Sequence, residues 1–205
     1  MSGSQAQPEL EFWFEFASTY SYLSASRIEA ACQAAGVRIV WKPFLLGPIF
    51  KRQGWNDSPF NLYPVKGAYM WRDMERLAEK YGLAFARPSV FPRNGLLAAR
   101  VACSHSDAPW LPGFVRAVYA ANFSHDRDIS EPSVIAGILD SLSQPGDELV
   151  NTAGTDTAKA ALRAQTEAAE AAGIFGAPSF VVGDELFWGN DRMGDAIAHA
   201  LFSKL

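Results

Sequence analysis

The chain has 205 residues, 49% hydrophobic and 20% charged, a balance that argues for a packed core and against disorder. That length allows one large domain, or one domain carrying a sizeable insertion. A net charge of −4 without a long basic run argues against nucleic acid as the main partner. No stretch of about 18 apolar residues predicts a membrane span, and the polar segment Met1 to Pro8 shows no apolar core of a secretory signal.

In Leu10 to Phe16, the apolar Leu10, Phe12, Phe14 and Phe16 alternate with Glu11, Trp13 and Glu15, the period-two pattern of a strand. A polar turn follows from Ala17 to Ser21, and helical spacing begins at Tyr22. Ile28, Ala31, Cys32 and Ala35 share a stripe that ends at Gly36, a left-handed stop. Ser18 therefore falls beside the unpaired N–H groups of a helix start, a place that favours negative charge. A plain N-cap explains the same serine. Val37 to Phe44 alternates again, predicting a parallel second strand reached by a right-handed crossover, with Pro43 closing the clean pattern.

From Leu45 to Pro64, Gly47, Pro48, Gly54, Pro59 and Pro64 predict a long irregular loop of the kind that carries function. Lys66 to Gly82 reads as a helix with Met70, Met74, Leu77, Ala78 and Tyr81 on its apolar stripe. Further helices are predicted over Pro92 to His105, over Trp110 to Phe123, after Ser130 as N-cap, and from Thr155 to Gly173. No strand pattern occurs between residues 45 and 174, so this region is expected to be an all-helical insertion. Ile174 to Gly189 reads as strand, Gly183-Asp184 turn and strand, and a last helix carries Met193, Ile197, Ala200 and Leu201.

Cys32 and Cys103 are far apart in helical patterns and read as buried free thiols, which fits a reducing, cytoplasmic setting. His105, His125 and His199 show no metal-ligand spacing, and no metal is expected.

The stretch Phe14-Glu15-Phe16-Ala17-Ser18-Thr19-Tyr20-Ser21-Tyr22-Leu23 resembles the F-D-F-x-S-P-Y-S-Y-L opening of the 2-hydroxychromene-2-carboxylate isomerases and kappa-class glutathione transferases. Three further stretches follow in the family's order. Pro64 to Met70 matches its P-x-K-G-x-Y-M, Gly176 to Phe180 its G-x-P-x-F, and Gly189 to Arg192 its G-x-D-R. The resemblance covers about Leu10 to Leu201. It implies an α/β fold: a thioredoxin-like sheet from residues 9–44 and 174–205, with a large helical insertion over 45–173, as in DsbA-related proteins.

At the two cysteine positions of the thioredoxin motif stand Ser18 and Ser21, so the chain has no redox pair of its own there. The resemblance makes Ser18 the catalytic group that holds the sulfur of bound glutathione, with Thr19 and Tyr20 beside it. Thr19 replaces the family's proline and Glu15 its aspartate. Asn56 or Asp57 would meet the glutathione backbone, although Asn-Asp-Ser-Pro is also ordinary turn chemistry. Lys66 would face glutathione or an acidic substrate, or else be a solvated lysine. Pro178 is expected to be cis, exposing Ala177 to an extended ligand. Asn190 and Asp191 would receive the γ-glutamyl end, or cap the last helix. Trp55, Phe60, Tyr63 and Trp71 are candidates for an apolar substrate wall, and each is equally suited to core packing. The implied activity is a glutathione-dependent isomerisation of unsaturated aromatic acids. A transferase or peroxidase on the same site and a non-catalytic thiol-binding module remain open, and a homodimer is admitted without being required.

Overall fold

The computed structural model describes residues 7–202; the segment read for a secretory signal lies, through residue 6, outside them. Four strands form one sheet in the order β2-β1-β3-β4: β1 (Glu9–Phe14), β2 (Arg38–Pro43), β3 (Ser179–Val182) and β4 (Glu185–Trp188). β1 pairs parallel with β2 and antiparallel with β3, and β3 and β4 make the expected hairpin. All strands of the described residues come from the two ends of the chain, and helices fill the region between. The architecture is a thioredoxin-like sheet with a helical insertion.

β1 is the central strand, and its sequence shows why. Leu10, Phe12 and Phe14 are fully buried on one face, where Phe12 stacks on its cross-strand partner Phe180 at 5.4 Å between ring centroids. Trp13 is buried on the opposite face, edge-on to Phe44 at 6.1 Å. Both faces are covered, which accounts for an aromatic residue on the face where alternation alone would put a polar one. Pro43 is accommodated inside β2 opposite Phe14 because β2 is an edge strand, where one side of the backbone has no partner to lose.

The first helix is two. α1 (Thr19–Ala25) and α2 (Ile28–Ala35) are separated where Ser26 Oγ donates to the Tyr22 carbonyl at 2.8 Å and Arg27 Nε to the Leu23 carbonyl at 2.9 Å. The Tyr22 carbonyl keeps its bond from the Ser26 N–H and gains the hydroxyl, whereas at Leu23 the Arg27 side chain replaces the Arg27 N–H, which turns to the Ser24 carbonyl. Helical structure begins at Thr19, earlier than the spacing predicted, and Gly36 closes α2 in the left-handed region.

The stretch read as a long irregular loop contains α3 (Leu46–Arg52) and α4 (Pro59–Leu62). Pro48 and Pro59 lie in the first turns of these helices, where the missing N–H has no intrahelical partner to lose. α5 (Pro64–Tyr81), α6 (Leu96–Ser104) and α7 (Leu111–Phe123) follow. α6 starts later than predicted, after a cis Phe91–Pro92 bond. α8 (Pro132–Ser141) is preceded by Ser130, which does not cap it: the Ser130 N–H and Oγ both donate to Asp128, at 2.9 and 2.7 Å. α9 (Gly146–Ala153) was not foreseen. α10 (Asp156–Ala171) and α11 (Met193–Phe202) match the predicted helices, with Thr155 capping α10 through the Ala158 N–H. No helix of the described residues is long and apolar enough to cross a membrane.

α7 is buried along nearly its whole length and lies behind the end of β1, where Tyr119 packs at 5.2 Å from Phe16. Its position fixes the site.

Candidate active site

The turn after β1 is held from behind by α7. Tyr119 donates its hydroxyl to the Glu15 carbonyl at 2.8 Å, and Asn122 Nδ2 donates to the Phe16 carbonyl at 3.2 Å. Both donors are buried, so the turn is anchored by bonds that span more than a hundred residues of sequence. On this support Ser18 takes an extended conformation (φ −79°, ψ 118°) and caps α1 through the Ser21 N–H at 3.2 Å. Its hydroxyl donates to the Ala177 carbonyl at 2.9 Å. The Ala177–Pro178 bond is cis, as expected from the sequence. One side chain therefore bridges the helix start and the proline loop, and the cap reading of Ser18 holds.

A cleft of about 1810 Å³ opens in front of this bridge, larger than the ~300–1,000 Å³ of most small-ligand pockets. Ser18, Thr19, Tyr20, Asn56, Asp57, Lys66, Ala177, Pro178, Asn190 and Asp191 all border it. They do not present their side chains alike. Thr19 is buried and donates its hydroxyl to Met70 Sδ at 3.2 Å, which leaves its backbone N–H as its polar group at the helix start. Tyr20 donates to Asp73 Oδ2 at 2.8 Å, and burial together with that carboxylate pushes its phenol pKa up. The Asp57 carboxylate closes its own turn, accepting from the Ser58 N–H at 2.6 Å and from Asn61 Nδ2 at 3.1 Å. Asn56 is exposed at the cleft edge. Lys66 is exposed in the first turn of α5, 4.9 Å from the Tyr63 ring centre.

Asn190 points inward: its Oδ1 accepts from Ser24 Oγ at 3.1 Å and from the Arg27 guanidinium. It does not cap the last helix, since it opens a 3-10 turn, Asn190–Arg192, ahead of α11. Asp191 is exposed, 3.7 Å from Arg192 Nε. Gly189 ties this turn to the proline loop, donating its N–H to the Pro178 carbonyl at 2.9 Å.

Of the four aromatic residues considered for the wall, Trp55 and Phe60 border the cleft. Trp71 does not: it is buried between Phe85 and Phe91, the latter at 4.8 Å. Tyr63 also lies outside, exposed beneath Lys66. Aromatic residues outside that set also border the cleft, and two of them face the proline loop. Phe175 and Trp188 are 44% and 53% exposed, with ring centres 4.9 Å apart, and flank the proline loop at the cleft. Gly176 is what lets Trp188 lie there, because a Cβ on it would meet the indole nitrogen at 2.4 Å. The signal was the glycine beside the proline. Glu15 also borders the cleft, and burial pushes its carboxyl up to about 7 despite an opposing bond with the Ala17 backbone.

The cleft has no thiol of its own. Cys32 is buried on α2, and burial pushes its thiol up to about 11; Cys103 is part-buried on α6, and neither borders the cleft. A thioredoxin-type cleft built around Ser18 can do sulfur chemistry only with a thiol brought by a ligand.

The fold and the serine at its junction define the class. Residues 9–202 match the DSBA-like thioredoxin domain, and the chain belongs to that family. A 2-hydroxychromene-2-carboxylate isomerase of Sphingobium xenophagum is 28% identical over 185 residues, covering 90% of this chain and 93% of that one. Glutathione S-transferase kappa 1 of Rattus norvegicus is 27% identical over an alignment of 215 residues, covering 95% and 91%. A solved structure of 2-hydroxychromene-2-carboxylate isomerase has a TM-score of 0.83 at 26% identity, over 96% of this chain and 97% of that one.

Proposed function

We propose that the chain is a cytoplasmic, glutathione-dependent isomerase acting on 2-hydroxychromene-2-carboxylate or a related unsaturated aromatic acid, with Ser18 stabilising the glutathione thiolate. The observation that carries this reading is the Ser18 Oγ to Ala177 carbonyl bond of 2.9 Å in a cleft without a cysteine. When an extended ligand donates a backbone N–H to the Ala177 carbonyl, the Ser18 hydroxyl is released and turns to the ligand's sulfur. The exchange replaces one hydrogen bond by two.

Lowering a thiol pKa from ~8.5 by ~2 units takes about 2.7 kcal/mol of preferential thiolate stabilisation. α1 has only seven residues, so its dipole contributes at the low end of roughly 0.3–1 kcal/mol. A hydroxyl donating to a charged acceptor contributes about 1.5–3 kcal/mol. Ser18 therefore carries most of the effect, and the Thr19 N–H, which the family's proline would lack, is a second donor. Asn56 and Lys66 are proposed to meet the ligand from the far wall, and Asp191 its γ-glutamyl ammonium.

In the reaction, the hemiketal ring of the substrate opens to a 2-oxo acid conjugated with a carbon–carbon double bond. The thiolate adds to that bond, rotation follows, and the thiolate leaves. The likeness to the kappa transferase and the size of the cleft support a second reading, in which the conjugate is released as product. Incubation of the protein with 2-hydroxychromene-2-carboxylate, with and without glutathione, separates the two. Isomerisation that needs catalytic glutathione supports the first reading, a stable conjugate supports the second, and equal rates without glutathione contradict both.

A further inference from the structure

One titratable group at the cleft has no part in the reading above. Glu15 lies three residues before Ser18 and accepts the Ser18 N–H on its carbonyl at 2.9 Å. Its side chain sits at the cleft floor against the start of α6. A Cβ built on Gly95, the residue ahead of that helix, would meet Phe16 Cβ at 2.7 Å and Glu15 Oε1 at 3.6 Å. Phe16 is what requires the glycine at 95; the Glu15 carboxyl oxygen lies at ordinary contact distance from that position, and Glu15 and Gly95 border the cleft together with Ser18.

A carboxylate placed there calls for a cation, and the surrounding elements do not supply one. Tyr119 on α7 gives its hydroxyl to the Glu15 backbone. The guanidinium of Arg93, ahead of α6, gives its two terminal nitrogens to Ser89, Asn122, Asp126 and Arg127, and its buried Nε makes no hydrogen bond among the described residues. Lys42 on β2 pairs with Glu11 at 3.7 Å. On α1, Tyr20 donates to Asp73. Among the described residues no ion pair joins Glu15 to an arginine, lysine or histidine. The consequence is an acid with both protonation states within reach near neutral pH, as a proton carrier requires.

We propose that Glu15 is the proton carrier of the isomerisation, serving the carbonyl oxygen of the bound 2-oxo acid. The proposal rests on the glutathione-dependent reading of the site. As the sulfur pair forms the C–S bond, the double-bond pair moves toward the carbonyl, whose oxygen takes the Glu15 proton to give an enol. Rotation occurs about the resulting single bond. The enol then returns its proton to the Glu15 carboxylate, the carbon–carbon double bond re-forms, and the C–S bond breaks with its pair on sulfur. Nothing is oxidised or reduced, and the proton ends where it began.

The test is the pH dependence of kcat with glutathione and 2-hydroxychromene-2-carboxylate, for the full chain and for Glu15→Gln and Glu15→Asp, with thermal melts confirming folding. The parent is expected to rise with pH as the thiolate forms and to fall as Glu15 loses its proton. Glu15→Gln should lower kcat about 10²-fold or more and abolish the fall at high pH, while Glu15→Asp restores part of both. A Gln variant that keeps the high-pH fall, whatever its rate, overturns the proposal and leaves the isomerase reading standing. A parent with no glutathione-dependent turnover overturns both. Should the Gln variant fail to fold, carbon-13 NMR titration of labelled glutamate in the parent decides: the Glu15 carboxyl must titrate where kcat falls, and a mismatch removes it.

Discussion

On the sheet side of the cleft, Ser18 is fixed by its bond to Ala177, 159 residues away, and its turn by Tyr119 and Asn122 of a fully packed helix. On the opposite side, α3 buries only Ile49, and α4 buries nothing. That wall is held by bonds such as Asn61 Nδ2 to the Phe91 carbonyl at 3.1 Å and by an exposed Arg52–Glu170 pair. Exposed pairs are worth about 0–1 kcal/mol, so the wall has little to lose by moving. On the proposed function the difference divides the tasks: the turn that carries Ser18 is locked by long-range contacts, and the surface that would meet the substrate is left adjustable.

Substitutions in the two regions should separate accordingly. Phe14→Ala removes a fully buried ring that packs on Phe12, Phe16 and Trp41, and should cost about 3–5 kcal/mol of stability. Trp55→Ala, on the adjustable wall beside Phe50, should cost less than about 1 kcal/mol and appear as a raised KM. Urea unfolding of both variants checks this, and equal losses would erase the contrast.

The locked side also carries a liability. Between its ordinary 4.5 and about 7, the folded chain still holds the Glu15 proton while the unfolded chain has released it. Stability should therefore fall as pH rises through that window, by up to about 3 kcal/mol, and stay lower above it. Glu15→Gln removes this loss. Relative to the parent it should gain stability between pH 5 and pH 8, measured by denaturant midpoints at the two values. A parallel pH dependence in both proteins would mean that the carboxyl is not held above its usual range.

The smallest effect is expected at the rim. The Asp191 side chain is 76% exposed, so its pairing with the glutathione ammonium should be worth under about 1 kcal/mol. Asp191→Asn should weaken glutathione by less than about fivefold and leave an analogue without that amine unaffected. Calorimetric titration that shows both ligands weakened alike would remove the contact.

The strands and the Ser18 junction were legible because their signals are local: alternation in β1, β2 and the hairpin, and a serine between strand and helix. The helices of the adjustable wall were not, because Pro48 and Pro59 punctuate a loop and open a helix equally well. Ser130 looked like a cap, and only the competing Asp128 two residues earlier withdraws it. Glu15 read as the polar member of an alternating strand. Its raised pKa comes from burial, in which parts of the chain such as the start of α6, about 80 residues on, take part. Phe175 and Trp188 form one surface only after the hairpin closes.

The central claim is that the Ser18 hydroxyl holds the glutathione sulfur as a thiolate. Ultraviolet absorbance of the thiolate, followed against pH on the protein–glutathione complex, reports it directly. Ser18→Ala should leave glutathione binding nearly unchanged and raise the bound thiol's pKa by roughly 1–2 units, the loss of about 1.5–3 kcal/mol of thiolate stabilisation. Ser21→Ala, a turn further into α1 and buried, should titrate like the parent. A Ser18→Ala complex whose thiol titrates at the parent's pH would contradict the account.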